Sequence, residues 1–342
     1  MNLQSSYPTV LDQEAKVAFL RQPQAYPEKP ARIETIETHM SWVFLTPQHA
    51  YKLKKPVRYD YLDFSTVAAR KKNCEEELRL NQRLAPDVYL DIVPLALDAR
   101  GKVQIEGQGE VVDWLVKMRR LPAERMLDYL IRHRTLEPVE THVVAEILAY
   151  FYRECIPVKT SGGEYHRQYE HNVRTNYEAL ANPVYELPAA LVEAVHEVQK
   201  EFLQRAPELL ERRATEGRIV EGHGDLRPEH VCLESPPVIF DRLEFNRAFR
   251  IIDAADELAF LAMECERLGA PQVEPELFGV YRRVTGDYSP PPLVCFYKAH
   301  RACLRARLAI WHVHDSAQSA WPRWRATAEE YLRLAESYGG KL

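Results

Sequence analysis

One stretch, EGHGDLRPEHVCLESPPVIFDRLEF (residues 221–245), gathers four side chains able to do acid–base or metal chemistry: His223, Asp225, His230 and Asp241. Gly222 and Gly224 break a short apolar strand and leave Asp225 in a loop, because glycine accepts backbone conformations closed to other residues. His230 precedes the apolar run VCL, the turn ESPP follows, and the run VIF ends at Asp241. An acid before a hairpin and an acid after it predict Asp225, His230 and Asp241 at one end. Carboxylates so placed can hold a divalent cation and set a base beside it.

The elements that must position them change character along the chain. Its 342 residues suggest two lobes. Alternating Ile, Val, Thr and aromatic residues predict three antiparallel strands near 32–38, 41–46 and 49–55. STVAARKKNCEEELRLNQRLAP then has helical spacing, with Ser65 or Thr66 as N-cap and Pro86 as the stop. DIVPLALDARGKVQIEG, with a turn at 98–101, and GEVVDWLVKMRRL supply two more strands. After Pro122, AERMLDYLIRH, VETHVVAEILAYFYREC and AALVEAVHEVQKEFLQRAPELLERRA are amphipathic helices, and 251–338 is helical again. SGGEYHRQYEHN (161–172) reads as a mobile loop from its glycine pair and polar content. The order β-β-β-α-β-β followed by helices predicts an α+β protein. Residues 1–30 form an N-terminal extension, 31–121 a β-rich lobe and 122–342 a helical lobe carrying the reactive loops.

Composition removes several classes. A formal charge of -5, with the 12 His neutral, argues against a general nucleic-acid binder. Six Cys without a CxxC argue against metal staples and a disulfide framework. No apolar run reaches the roughly 18 residues a membrane helix needs. The polar start MNLQSSYPTVLDQEAK lacks a signal core, so the expectation is a cytoplasmic protein without a membrane partner.

HGDLRPEHVCL…VIFDRLEF resembles the HGDxxxxN…D pattern of the aminoglycoside phosphotransferase branch of the protein-kinase-like fold. ETHMSWVFL…AYKLKKP…LDFST…CEEELRLNQRLAPDVYL is similar to the phosphotransferase-like half of bacterial proteins that often carry a P-loop ATPase half; no GxxxxGK[ST] occurs here. The resemblance spans roughly residues 30–310 and implies a two-lobed kinase-like fold. It implies ATP or another nucleoside triphosphate as co-substrate, Mg²⁺ or Mn²⁺, a small-molecule hydroxyl acceptor and a P-loop ATPase as functional partner.

The same resemblance distributes roles. Asp225 matches the catalytic aspartate that takes or orients the proton of the attacking hydroxyl. Asp241 matches the metal-binding aspartate, and His230 stands where the family usually has a metal-binding Asn. Lys52 matches the lysine that grips the α- and β-phosphates, with Lys54 as alternative because it shares the strand face. Glu77 matches the helix glutamate that pairs with it. Met118, Arg119 and Leu121 fall in the hinge whose backbone meets adenine. His223 and Glu244 are supporting candidates, Glu244 as a further metal ligand. Asp256 or Glu257, in RIIDAADELAF, corresponds to the acid that braces the catalytic loop.

Two departures shape the expectation. An imidazole at His230 favours Mn²⁺ over Mg²⁺, or one metal over two. The phosphate hairpin ETHMSWV has no glycine, which passes part of its work to Thr38, His39 or Ser41. Both leave a catalytically weak nucleotide-binding regulatory protein as an alternative. A metal-dependent phosphohydrolase built from His223, Asp225, His230 and Asp241 is the other.

Overall fold

Alternating side chains between residues 34 and 119 pair into one antiparallel sheet, and the pleat decides what each face meets. Its strands are β1 (Glu34–Glu37), β2 (Ser41–Leu45), β3 (His49–Lys54), β6 (Tyr89–Leu97), β7 (Val103–Ile105) and β8 (Glu110–Arg119), in the order β1-β2-β3-β8-β6-β7. A separate two-stranded hairpin, β4 (Arg58–Tyr59) and β5 (Leu62–Asp63), leads into the helix α2 (Val67–Asn81). The computed structural model describes residues 11–59, 61–315 and 318–342. They divide into two units. The first runs to Arg125 and takes back Val238–Arg247; the second is Met126–Pro237 with Ala248–Leu342.

In the first unit, β3 is an inner strand, with Lys52 opposite Val43 of β2 and Val116 of β8. Its odd residues Tyr51 and Leu53 join a core with Phe44, Val93, Leu95 and Leu115. Val17 and Leu20 of the helix α1 (Gln13–Leu20), with Tyr26, complete that core. Lys16 and Arg70 both bind the wholly buried Asp113, which ties α1 and α2 to β8. Val17, Leu20 and Tyr26, within the stretch expected as an extension, therefore lie in this unit's core. Lys52 and Lys54, of opposite parity, meet α2. That helix starts where Thr66 Oγ1 accepts the Ala69 amide at 3.1 Å. It turns Arg70, Asn73, Cys74, Glu77 and Leu80 inward at three- and four-residue spacing.

The second unit is mainly helical: α3 (Leu127–Arg132), α4 (Pro138–Arg153), α5 (Gly162–Leu180), α6 (Ala189–Arg205), α7 (Pro207–Thr215), α8 (Ala254–Arg267), α9 (Val273–Thr285), α10 (Pro291–Asp315) and α11 (Trp321–Gly339). A short antiparallel pair, Ile219–Glu221 with Ile251–Asp253, precedes α8. Residues 161–172, expected as a loop, are instead the start of α5. Ser161 Oγ accepts the Glu164 amide, Glu164 accepts the Ser161 amide, and Tyr165, Tyr169 and Val173 enter a core with Phe202 and Phe296. A capping box and one apolar stripe outweigh the glycine pair. Among the described residues no helix is long and apolar enough to cross a membrane. Replacing Ser161 by Ala removes the α5 cap and is expected to lower stability by about 1 kcal/mol. Urea unfolding followed by helical circular dichroism checks it, and an unchanged midpoint would remove the cap from the account.

Candidate functional site

In the first unit a chain of five charged groups runs from β3 to the returning segment. Lys52 Nζ donates to Glu77 Oε1 at 2.8 Å and to Asp241 Oδ1 at 2.8 Å. Lys54 Nζ donates to Glu77 Oε2 at 2.5 Å and to Glu244 Oε1 at 2.5 Å. Glu77 thus takes Lys52 at one carboxylate oxygen and Lys54 at the other. Burial by itself would push the Lys52 ammonium down; Asp241, Glu77 and Glu244 outweigh it and hold Lys52 well above its ordinary range. Burial pushes Glu77 up, yet Lys52 and Lys54 bring it below the usual carboxylate value. Three carboxylates against two ammoniums leave one net negative charge. Burial, with Glu77 nearby, keeps the Glu244 carboxyl above the ordinary range despite Lys54.

The end of α2 positions Asp241. The Asp241 amide donates to Tyr89 Oη at 3.1 Å, and the Arg242 amide to Asn81 Oδ1 at 2.8 Å. The Arg242 guanidinium donates to the Leu80 carbonyl, and Asn81 Nδ2 to the Glu77 carbonyl. Asp241 has a positive φ of 59, a turn conformation that Asp tolerates better than most residues. Sequence reasoning missed Tyr89, Asn81 and Arg242, whose roles depend on tertiary contact. At the predicted hinge, Met118 is buried. The Arg119 amide donates to Val88 and the Arg120 amide to Gln48, so the chain leaves the sheet at Leu121. In the hairpin between β1 and β2, Thr38 Oγ1 accepts the Ser41 amide and Ser41 is buried, whereas His39 is exposed and stacks on Tyr59.

In the second unit the loop around Asp225 hangs from α8. Glu257 accepts the amides of His223 at 2.8 Å and Gly224 at 2.5 Å, and the Tyr152 hydroxyl at 2.7 Å. A Cβ at Gly222 would collide with the Glu257 carboxylate and with Ile252, so only glycine passes there. Asp256, adjacent in sequence, points elsewhere and takes a two-pronged bond from Arg301 and the Tyr169 hydroxyl. The loop-bracing geometry is thus at Glu257. Asp225 is one-third exposed, and Arg227 Nε lies 3.1 Å from its Oδ1. Burial pushes its carboxyl up, but Arg227, then His230, Arg305 and His223, hold it below the ordinary range. Sequence reasoning passed over Arg227, two residues from the acid it neutralises.

His230 has both ring nitrogens engaged inside this loop. Nδ1 lies 2.8 Å from the Asp225 carbonyl, which only an Nδ1–H can satisfy, and Nε2 lies 3.3 Å from Arg227 Nη2, which donates. The lone pair expected to bind metal thus faces a guanidinium. His223 is wholly buried, and its Nδ1 accepts the Asp225 amide at 3.3 Å. Among the described residues no cluster of three or more His, Cys, Asp or Glu side chains is arranged to hold a metal. The Asp241 carboxylate, 39% exposed, fits the smaller demand of Mg²⁺ for one or two carboxylates beside waters and phosphate oxygens.

No family model matches the chain. An uncharacterized protein of Mycobacterium tuberculosis is 33% identical over 284 residues, covering 81% of this chain and 54% of that protein. The chain thus spans about half the length of the curated relatives it matches. Among solved structures, choline kinase from Cryptosporidium parvum aligns with a TM-score of 0.53 at 10% identity, over 96% of this chain and 94% of that one. An aminoglycoside phosphotransferase from Alicyclobacillus acidocaldarius aligns with a TM-score of 0.47 at 10% identity, over 99% and 98% of the two chains. The choline kinase alignment establishes the kinase-like α+β fold.

The charge ladder yields a stability test. Lys54→Met orphans Glu244 and is expected to destabilise by about 3–5 kcal/mol. The double change Lys54→Met with Glu244→Leu removes the stranded charge and restores much of the loss. Chemical unfolding of both variants measures this, and equal destabilisation of single and double variants would refute the pairing.

Proposed function

We propose that the chain is a phosphotransferase that moves the γ-phosphate of ATP, or of another nucleoside triphosphate, to a hydroxyl of a small molecule. The observation that carries this reading is Lys52: a strand cation held at 2.8 Å from both a helix glutamate and the acid that follows VIF. Phosphoryl transfer asks for aligned reactants and neutralised phosphate charge rather than covalent help. Lys52 offers its ammonium to the α- and β-phosphates, and Leu121, past Met118 and Arg119, offers backbone to the base. Asp241 is the carboxylate that would hold Mg²⁺, which when bound screens the β- and γ-phosphate charge. Asp225, ionised at neutral pH, takes the acceptor's proton as its oxygen bonds to the γ-phosphorus and the bond to the β–γ bridging oxygen breaks, releasing the nucleoside diphosphate. Glu257 fixes the loop that aims Asp225.

His230 is assigned to bracing that loop, which favours one metal over two. The second reading, a regulatory nucleotide binder with weak turnover, draws on the glycine-free hairpin whose Thr38 hydroxyl is engaged by Ser41. A phosphohydrolase has less support, because the His223 and His230 nitrogens serve Asp225 and Arg227. A P-loop ATPase partner rests on the resemblance alone, and co-purification with such a chain tests it.

A screen of small hydroxyl compounds for ATP-dependent transfer tests the main reading. Asp225→Asn is expected to lower kcat by about 10²- to 10⁴-fold with nucleotide affinity retained. Binding of ATP without transfer to any acceptor, in both chains, favours the regulatory reading. The depressed Asp225 carboxyl sets a pH expectation as well. The base stays ionised until the pH falls through its folded-state value, so the acid limb of kcat/KM belongs below the ordinary aspartate range. A limb near neutrality would assign the base to another group.

A further inference from the structure

Two buried arginines of the second unit have their forks filled. Arg213 grips Asp253 and Asp287, and Arg301 grips Asp256, each through paired N–H groups. Arg305, one turn beyond Arg301 on α10, differs. Its Nε lies 3.1 Å from Glu264 Oε1 and 3.4 Å from Tyr331 Oη, and the guanidinium stands 5.6 Å from the centre of the Tyr331 ring. Among the described residues its Nη1 and Nη2 donate to nothing, and neither is shut off from solvent. The side chain is 23% exposed, so Arg305 presents an unused pair of nitrogens.

Glu264 does not need that pair. It is 1% exposed and holds Arg267 Nε at 2.9 Å and the Tyr331 hydroxyl at 2.8 Å. Arg267 has Glu330 as a further acid at 3.2 Å, whereas Arg305 has no second ion pair among the described residues. Its place is beside the loop of the base. Glu257 and Glu264 stand about two turns apart on one face of α8. Glu257 holds the His223 and Gly224 amides at the start of the Asp225 loop, and Glu264 holds Arg305. Arg305 is also among the cations that keep the Asp225 carboxyl below its ordinary range.

We propose, resting on the phosphotransferase reading, that Arg305 selects the acceptor: a hydroxyl compound bearing a carboxylate or phosphate, whose oxygens take Nη1 and Nη2 while the hydroxyl meets Asp225. A guanidinium fork matches the paired oxygens of either group. An amine-bearing acceptor would meet the like charges of Arg227 and Arg305 there, which selects against it.

The test is ATP-dependent transfer to matched compounds: glycerate, glycerol 3-phosphate, glycerol and 3-amino-1,2-propanediol, with KM and kcat measured for each. The expected result is a lower KM for an acidic member than for glycerol, and the highest for the amine. Whichever acid has the lower KM separates carboxylate from phosphate. Arg305→Gln raises that KM by about 10- to 100-fold, the scale of a lost charged hydrogen-bond pair, with the KM for ATP unchanged. Arg305→Lys keeps a cation beside Glu264 without the fork. It recovers part of the loss, and it decides if the Gln variant fails to fold. Preference for glycerol or the amine overturns the inference and leaves the phosphotransferase reading standing. So does a wild-type KM for the acid in either variant, or a parallel rise in the KM for ATP, which would put Arg305 on the nucleotide. No transfer to any member, and none in the wider screen of hydroxyl compounds, overturns both.

Discussion

A carboxylate with no solvent exposure organises the first unit. Removing an ion from water costs several kcal/mol unless its partners are close and its lone pairs filled. Glu77 faces β3 from α2 with 0% exposure, so the strand must bring cations to it. The sequence YKLK does this through the pleat: residues two apart share a face, and Lys52 and Lys54 reach one oxygen each. Both ammoniums are then left with unused donors in a dry place. Residues 238–247 meet that demand by supplying Asp241 and Glu244, which gives a physical reason for a segment so distant in sequence to return to this unit.

The second unit answers the same constraint differently. Residues 254–265 of α8 are all buried, acids included, and consecutive helix residues point about 100° apart. The buried acids at the start of α8, and Asp287, are filled by partners on other elements. Asp253 and Asp287 grip Arg213 of α7, Asp256 grips Arg301 of α10, and Glu257 collects loop amides rather than a cation. Asp225, in the loop that Glu257 holds, has Arg227 Nε 3.1 Å from its Oδ1.

Legibility in the sequence followed the range of the interactions. β1, β2, β3 and α2 were readable because alternation and helical spacing are local, and the glycines around Asp225 announced a loop. The β4–β5 hairpin was not, since two-residue strands leave no periodicity. The start of α5 was misread because Gly162 and Gly163 weigh against a helix locally, while Tyr165, Tyr169 and Val173 gain only from tertiary burial. In the site, Lys52, Glu77 and Asp241 could be named from the resemblance. The sharing of Glu77 between two lysines, the role of Tyr89 and the choice of Glu257 over Asp256 could not. Each depends on which face of an element meets which neighbour, and that is settled by packing.

The shared glutamate also bears on how a cation can be held firmly and still be available. A lysine paired only to one buried carboxylate could not turn toward a phosphate without stranding that carboxylate, at a cost of several kcal/mol. Here Lys54 stays on Glu77 Oε2, so the glutamate keeps a cation whenever Lys52 shifts. Lys52, with 14% of its side chain exposed, is the member of the pair that solvent reaches, and Lys54, at 1%, is the one that anchors. On the proposed reaction, division of labour between two lysines on one strand face lets the fold keep its buried charge paired while one ammonium exchanges carboxylate for phosphate.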